Sequence, residues 1–189
     1  MMNHKGTKRI ETPRLILRPF TTADAEAMYK NWASDKTVTQ YLTWPAHGSV
    51  QVTGQLLALW TENYARKDYY QWAIVLKDGA DEPIGSMAVV SYNEDLDSAE
   101  VGYCIGRLWW NQGLTAEALQ AVIDFLFDEV GVNRIEARHD TRNPASGKVM
   151  QKCAMQVEGT MRQAARNNQG ICDICQYAIL RQDRRERTQ

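Results

Sequence analysis

The sequence has no hydrophobic run long enough to cross a membrane and no strong excess of either charge. No stretch of its 189 residues approaches the roughly 20 apolar residues of a membrane-spanning helix. Twenty-two Lys and Arg residues face 23 Asp and Glu residues, so the net charge is −1. We therefore expect neither a nucleic-acid partner nor a membrane partner. The first thirteen residues also lack the apolar core of a secretory signal, which favours a cytoplasmic protein.

The cysteines and histidines do not form a pattern typical of a disulfide framework or of a zinc site. There are four cysteines, of which Cys172 and Cys175 form a C-x-x-C pair. A zinc site normally needs a second such pair or a closely spaced pair of histidines, and the three histidines here are scattered. The pair lies in a β-like run, where this odd spacing places the two side chains on opposite faces. We expect reduced thiols and no metal.

Composition and length favour one globular domain. Hydrophobic residues make up 44% of the chain and charged residues 24%, which is ordinary globular usage. The sequence has no repeat at a fixed period and no low-complexity linker. We expect a single domain over residues 1–189, with a core over about 10–180 and frayed termini.

Hydrophobic patterning predicts an α+β fold. Closely spaced strands in the first half indicate an antiparallel meander, whereas residues 98–140 are predicted to form a strand–helix–strand unit with parallel strands. Strands are predicted over 14–18, 69–76, 83–92, 98–105, 133–139, 156–162 and 172–180, and helices over about 22–32, 50–67, 114–130 and 144–153.

The most informative segment is the loop that opens the helix of this unit. Gly113 permits close backbone approach to a ligand, and the N–H groups that follow it lie at a helix N-terminus, where an anion is favoured. The segment is not a Walker loop, since no Gly-Lys-Ser/Thr follows, and it lacks the three glycines of a dinucleotide fingerprint. Taken alone, it is better interpreted as an ordinary strand-to-helix turn.

Five blocks in order resemble the GNAT superfamily of acetyl-CoA-dependent N-acetyltransferases, in particular its RimJ/RimL-like branch of ribosomal-protein N-terminal acetyltransferases. The resemblance covers about Ile10 to Leu180. It implies a GNAT fold with helices on both sheet faces, acetyl-CoA as cosubstrate, no metal, and direct transfer to a primary amine. The blocks are Ile10 to Pro19 with Asp24, Ala99 to Tyr103, Trp110 to Ala118, Asn143 to Lys152 with Glu158 and Gly159, and Asp173 with Tyr177.

The resemblance also implies the residues that bind CoA. Backbone N–H groups of the loop would hold the pyrophosphate, and those near the end of the preceding strand would bind the thioester oxygen, where that strand splays from its parallel neighbour. Asn143 would contact the pantetheine at the start of the late helix. The implied binding set is Tyr103, Cys104, Ile105, Gln112, Gly113, Leu114, Thr115, Ala116, Asn143 and Ser146.

Three positions depart from the pattern of the branch. Asn111 stands where a glycine is usual, and Thr115 stands where a second small residue is expected. Ala154 occupies the position of a helix-ending glycine. If that position requires a left-handed backbone, alanine costs up to about 1–2 kcal/mol there.

The reaction implied by the resemblance needs a proton acceptor, because only a neutral amine attacks a thioester. Glu100 is the candidate base, since the superfamily often places its base at this point of the strand. A surface carboxylate on a strand edge is an equally good interpretation, and Asp95 and Asp97 are weaker alternatives. Cys104 is interpreted as a small wall residue rather than a nucleophile, because no histidine is placed to activate it.

The leaving thiolate needs a hydrogen-bond donor. Many GNAT enzymes use a tyrosine at the position of Met150, which has no proton to donate. Ser146 is the candidate, because in the resembling branch a serine here approaches the sulfur. Plain helix capping is the alternative for both Ser146 and Asn143.

The acceptor is the least determined part. The loops from Tyr41 to Gly48 and from Gln163 to Gly170 are predicted to form the walls of its site. The leading interpretation is acetylation of a protein N-terminus or a small amine. The alternatives are an antibiotic, polyamine or amino-acid N-acetyltransferase on the same fold, and a non-catalytic acyl-CoA-binding module. The sequence does not determine the oligomeric state, and a homodimer is one alternative.

Overall fold

The computed structural model describes residues 2–185, which form one eight-stranded mixed sheet with the strand order β1-β2-β3-β4-β5-β6-β8-β7. Only β5 and β6 are parallel neighbours; every other adjacent pair in the described sheet is antiparallel. The strands are β1 (Ile10–Glu11), β2 (Leu15–Arg18), β3 (Gln71–Leu76), β4 (Pro83–Asn93), β5 (Ser98–Ile105), β6 (Arg134–Asp140), β7 (Gln156–Asn167) and β8 (Gly170–Leu180).

Helices connect the strands and continue beyond the last one. Two of them are followed by a turn of π-helix, over Tyr29–Ala33 after the first and over Leu126–Val130 after the fourth. The helices are α1 (Ala25–Met28), α2 (Lys36–Thr39), α3 (Val50–Asn63), α4 (Leu114–Phe125), α5 (Pro144–Lys152) and α6 (Arg181–Arg185). Among residues 2–185, none of these helices has the length and apolar character that crossing a membrane requires.

Hydrophobic residues are buried on both faces of the sheet. On one face, α4 contributes Leu119 and Ile123 to the larger core, which also contains Met150 of α5. On the other face, Met28 of α1 and Leu57 of α3 belong to a smaller cluster with Phe20, Trp32, Ala33, Ala73 and Val75. The predicted α+β fold, with a mostly antiparallel sheet, one parallel βαβ unit and helices on both faces, is confirmed.

The parallel pair is joined over only a short length. Its register runs Ser98↔Arg134, Ala99↔Ile135 and Glu100↔Glu136, and no pairing between β5 and β6 continues beyond it within the described residues. β6 remains paired with β8 as far as Asp140, so β5 separates from it over Val101 to Ile105. The two strands therefore splay apart at the end of β5 that leads into α4, as the resemblance implies.

The segment from Gln163 to Gly170 is a correction to the sequence analysis, because it is not an extended loop. β7 runs to Asn167 and β8 begins at Gly170, so the connection is a tight hairpin turn. The register shifts between Met161 and Ala165, and Gln163 has a left-handed φ of 49°. This bulge interrupts the side-chain alternation that marks a strand in the sequence.

At both ends of the described part of the chain, the backbone is tied to the fold. Met2 is buried, and the Asn3 N–H donates to the Val130 carbonyl at 2.6 Å. The Arg181 N–H donates to the Asn133 carbonyl at 2.9 Å, and α6 follows. Residues 186–189, the rest of the charged tail, lie outside the described part of the chain.

Candidate active site

A cavity of about 450 Å³ lies where β5 and β6 separate. Five elements contribute to its wall: α2, the end of β5, the loop after β5, the first turn of α4, and α5. The lining residues used below are Tyr41, Tyr103, Cys104, Thr115, Ser146 and Lys148. None of the described residues that line this cavity is a carboxylate or a histidine.

The loop before α4 presents free backbone donors to this cavity. Gly113 has a left-handed φ of 76° and forms the N-cap of α4. The first helical hydrogen bond runs from the Glu117 N–H to the Gly113 carbonyl at 3.0 Å. The N–H groups of residues 114–116 therefore precede the helical ladder, and together with the helix dipole they favour an anion.

The candidate residues of this loop do not all reach the cavity with their side chains. Thr115 and Ala116 line it, as does Gly113. Leu114 is buried in the larger core, and the Gln112 side chain donates to the Leu108 carbonyl at 2.8 Å. Gln112 and Leu114 can therefore contribute to a binding site here only through their backbones.

A contact that the sequence analysis missed holds this loop in place. Glu117 accepts hydrogen bonds from the Thr12 hydroxyl at 2.6 Å and from the Arg14 backbone N–H at 2.9 Å. Arg14 also donates from Nη1 to the Gln112 carbonyl at 3.1 Å. Burial alone would raise the pKa of Glu117, but hydrogen bonds from Thr12 and Arg14 outweigh it and lower the pKa. Thr12 and Arg14 both lie in the first block of the resemblance, so that block was the feature of the sequence that could have indicated this contact.

The three candidates at the end of β5 all line the cavity: Tyr103, Cys104 and Ile105. The Cys104 sulfur lies 3.3 Å from the Ser86 hydroxyl oxygen. Burial raises the pKa of the Cys104 thiol to about 11, so the thiolate is scarce at neutral pH. Cys104 is thus poorly suited to nucleophilic catalysis, which agrees with its interpretation as a wall residue.

Asn143 and Ser146 face the end of β5 from the start of α5, and both line the cavity. Asn143 is the N-cap residue of α5, yet its side chain makes no capping hydrogen bond. Ser146 is engaged by Tyr103, whose hydroxyl oxygen lies 2.9 Å from the Ser146 carbonyl oxygen and 3.1 Å from Ser146 Oγ. Met150 is only 1% exposed and belongs to the core.

Glu100 lies apart from the cavity wall. Its carboxylate pairs with Arg138, at 2.8 Å between Oε1 and Nε, and accepts a hydrogen bond from the Ser91 hydroxyl at 3.3 Å. Glu100 and Cys104 share one face of β5, and four residues of strand separate their Cα atoms by about 13 Å. Gly102 lies between them on the same face. Asp95 and Asp97 lie at the opposite end of β5 from the cavity.

The two predicted acceptor walls meet at Asn168. From the turn between β7 and β8, its side-chain amide donates to the carbonyls of Thr39 at 2.8 Å and Trp44 at 2.7 Å. Its backbone N–H donates to the Leu42 carbonyl at 3.2 Å. Tyr41 of this loop lines the cavity.

Trp44 and His47 turn toward each other, with ring centroids 5.3 Å apart. The His47 ring lies 2.8 Å from the Thr53 hydroxyl, and burial lowers the pKa of His47. In this arrangement neither ring lines the cavity. Cys172 and Cys175 are three residues apart in β8, so their side chains lie on opposite faces of the strand. No cluster of three or more potential metal ligands occurs within residues 2–185.

Comparison with known proteins identifies the family. Residues 14–156 match the family model described as "Acetyltransferase (GNAT) domain". The Bacillus subtilis N-acetyltransferase YoaA is 31% identical over 172 residues, covering 91% of this chain and 96% of that protein. The Escherichia coli ribosomal-protein-serine acetyltransferase is 27% identical over 157 residues, covering 81% and 85%.

A similar solved structure is titled RimL, a ribosomal L7/L12 α-N-protein acetyltransferase in complex with coenzyme A. It superimposes with a TM-score of 0.81 at 21% identity, covering 92% of this chain and 98% of that one. That likeness supports the fold. The family match and the relatives together establish that this chain is an N-acetyltransferase of the GNAT family, similar to its RimJ/RimL-like branch.

Proposed function

We propose that this enzyme transfers the acetyl group of acetyl-CoA to a primary amine, and that the amine is an α-amino group. The observation that carries the choice of amine is the composition of the cavity wall, which contains no carboxylate and no histidine among the described residues. An amine held there must lose its proton without a strong base in direct contact.

Amine basicity then separates the acceptor classes. An α-amino group with a pKa of about 8 is roughly one-tenth neutral at pH 7. A lysine side chain with a pKa of about 10.4 is neutral in only about one molecule in 2,500. A protein N-terminus, or a small molecule with an α-amino group, therefore suits this site better than a lysine or a polyamine. The names of the E. coli relative and of RimL, both acetyltransferases of ribosomal proteins, agree with a protein N-terminus.

We assign acetyl-CoA, the acetyl donor, to the loop before α4 and to the gap between β5 and β6. The N–H groups of residues 114–116 hold the pyrophosphate, and Lys148 adds positive charge to the same cavity. The pantetheine arm lies between β5 and β6 and pairs with the edge of Val101 to Ile105 that faces β6, since the other edge of this segment is already paired with β4. Backbone N–H groups at the end of β5 stabilise the oxyanion of the tetrahedral intermediate. The CoA complex of RimL supports this choice of donor.

Glu100 is assigned as the final proton acceptor, acting through water. The distance of about 13 Å along the strand excludes direct contact with an amine at Cys104. Gly102 lies between them on the same face, where the Val90 side chain packs so closely that a Cβ on Gly102 would meet Val90 Cγ1 at 3.0 Å. The proton would therefore pass from the amine to the carboxylate through water and not by direct contact.

An amine panel tests the proposal. The purified enzyme is incubated with acetyl-CoA and each candidate acceptor at pH 7, and the release of free CoA thiol is followed. The acceptors are a peptide with a free N-terminus, the same peptide with an acetylated N-terminus and one lysine, free amino acids, spermidine and an aminoglycoside. We expect turnover with the acceptors that carry a free α-amino group, and mass spectrometry should locate the added acetyl group on that amine. Turnover confined to the lysine peptide, spermidine or the aminoglycoside would contradict the choice of amine.

A further inference from the structure

Tyr103 and Ser146 form a hydroxyl pair between β5 and α5. Tyr103 belongs to β5 and Ser146 to the first turn of α5, and both line the cavity. The Tyr103 hydroxyl oxygen lies 2.9 Å from the Ser146 carbonyl oxygen and 3.1 Å from Ser146 Oγ. The pair therefore links β5, along which the pantetheine arm is assigned, to the first turn of α5.

Two hydrogen-bond arrangements are open to this pair. In the first, the Tyr103 hydroxyl donates to the Ser146 carbonyl, and the Ser146 hydroxyl donates to the Tyr103 oxygen. In the second, the Tyr103 hydroxyl turns to Ser146 Oγ, which leaves the Ser146 hydrogen free to point into the cavity. A hydroxyl that accepts a hydrogen bond is a stronger donor than an isolated one.

Met150 makes such a device necessary. It occupies the position at which many relatives of this fold carry a tyrosine, and it is buried in the larger core and does not line the cavity. The phenol nearest to Ser146 comes instead from the facing strand.

We propose that Tyr103 is a positioning residue for the leaving group: it holds Ser146 Oγ and strengthens its hydrogen bond to the departing CoA sulfur. This inference rests on the proposed function. When the carbon–sulfur bond of the tetrahedral intermediate breaks, its electron pair goes to sulfur. The Ser146 hydroxyl donates to that thiolate while accepting a hydrogen bond from Tyr103. The proton that finally reaches sulfur balances the one lost by the amine.

Burial fits Tyr103 to this role. It raises the pKa of the phenol well above its usual range, so Tyr103 keeps its proton and acts as a neutral donor. A deprotonated tyrosine would place a phenolate beside the developing thiolate, and repulsion between the two negative charges would oppose the departure of the leaving group.

Kinetics of three variants test the coupling. We expect Ser146→Ala to lower kcat about tenfold, the loss of one hydrogen bond, and Tyr103→Phe to lower it three- to tenfold. Because Tyr103 acts through Ser146, the double variant should be no slower than Ser146→Ala. Wild-type kcat in Tyr103→Phe, or a double variant that multiplies the two losses, would overturn the proposal.

Tyr177→Phe is the matched control. Tyr177 is also a buried tyrosine beside α5, where its hydroxyl accepts a hydrogen bond from the Gln151 side chain at 3.1 Å. It does not line the cavity. We expect kcat within twofold of wild type, which separates the role of Tyr103 from the general cost of removing a buried hydroxyl next to this helix.

A titration that needs no acceptor separates this inference from the proposed function. The thiolate absorbance of CoA bound to the enzyme is followed against pH, with the unliganded protein subtracted. The thiol of bound CoA should titrate below that of free CoA, and Tyr103→Phe and Ser146→Ala should both return it toward the free value. If no amine reacts but this titration behaves as expected, only the proposed acceptor fails. An unchanged titration in Tyr103→Phe overturns the role of Tyr103.

Discussion

Arg14 and Glu117, 103 residues apart in sequence, join the turn between β1 and β2 to the first turn of α4. The Arg14 Nε–H donates to Glu117 Oε2 at 2.6 Å, and the same guanidinium holds the Gln112 carbonyl. The ion pair therefore holds the residues on both sides of Gly113, the glycine at the centre of the loop that is assigned to bind the anion. A side chain outside the cavity thus fixes the geometry of the loop that lines it.

Removing this brace should weaken CoA binding without removing any group assigned to the ligand. We expect Glu117→Gln to raise the Kd for CoA three- to tenfold, because the carboxylate that organises Thr12 and Arg14 loses its charge. Calorimetric titration with CoA measures the change. Glu129→Gln, in the π-helical turn that follows α4, is the control and should bind CoA like wild type. Equal affinity in both variants would show that the brace is unnecessary.

The pH dependence of the brace follows from the lowered pKa of Glu117. A carboxyl with a depressed pKa in the folded state contributes stability above its unfolded pKa and loses it as pH falls through the folded pKa. The difference in free energy of unfolding between wild type and Glu117→Gln should therefore be largest near neutral pH and shrink below about pH 4. Urea denaturation at pH 7 and at pH 3.5 measures it. A difference that grows toward low pH would have the wrong sign.

Gly113 is expected to be essential for CoA binding. Gly113→Val places a branched side chain at a left-handed φ of 76°, in the loop assigned to the pyrophosphate. We expect at least a tenfold rise in the KM for acetyl-CoA, together with some loss of stability. Gly170→Ala, with a φ of 95° and open space around a Cβ, is the control for backbone strain alone. Unchanged CoA affinity in folded Gly113→Val protein would refute the assignment of the loop.

Glu100→Gln tests the assigned base. We expect kcat to fall 10²-fold or more with CoA affinity retained, as for the loss of a general base. Glu136→Gln is the matched control, because Glu136 lies directly beside Glu100 in the parallel register and is also held by an arginine, Arg134. Wild-type turnover of Glu100→Gln from pH 6 to pH 9 would exclude Glu100 as the proton acceptor.

Asn168 is expected to affect the acceptor and not the donor. Asn168→Ala removes the two side-chain hydrogen bonds that tie the β7–β8 turn to the backbone of Thr39 and Trp44. The KM for the acceptor amine should rise severalfold, while the KM for acetyl-CoA stays within twofold. Steady-state kinetics with each substrate varied in turn measures both. A rise in the KM for acetyl-CoA alone would show that Asn168 affects binding of the donor and not of the acceptor, which contradicts this prediction.

Ala154 offers a stabilising substitution away from the site. Its φ is 63°, the left-handed conformation that the sequence comparison anticipated for this position. Ala154→Gly should raise the free energy of unfolding by about 0.5–1 kcal/mol, because relief of strain exceeds the added chain entropy. Ala121→Gly, inside α4, should lower it by about 1 kcal/mol. Urea denaturation of both variants decides whether the backbone of Ala154 is strained.

The strands and helices that sequence predicted well are those with an unbroken period. β5 was predicted with its observed bounds, and the helix after Gly113 was found because its apolar residues recur at helical spacing up to Gly131. β1 and α2, at two and four residues, are too short to show any period. The bulge at Gln163 hid the second half of β7 for the related reason that it breaks the alternation.

The sequence by itself determined the fold, the family and the segments that surround the cavity apart from α2, since these follow from periodicity and from short motifs in a fixed order. Only the tertiary structure decided which side chains meet. It joined Arg14 to Glu117, Tyr103 to Ser146 and Asn168 to Trp44, and it set Glu100 apart from the cavity wall. The physical reason is that such contacts depend on how strands twist and separate in three dimensions. A local pattern fixes the face on which a side chain lies, and a partner many residues away decides what that side chain can do.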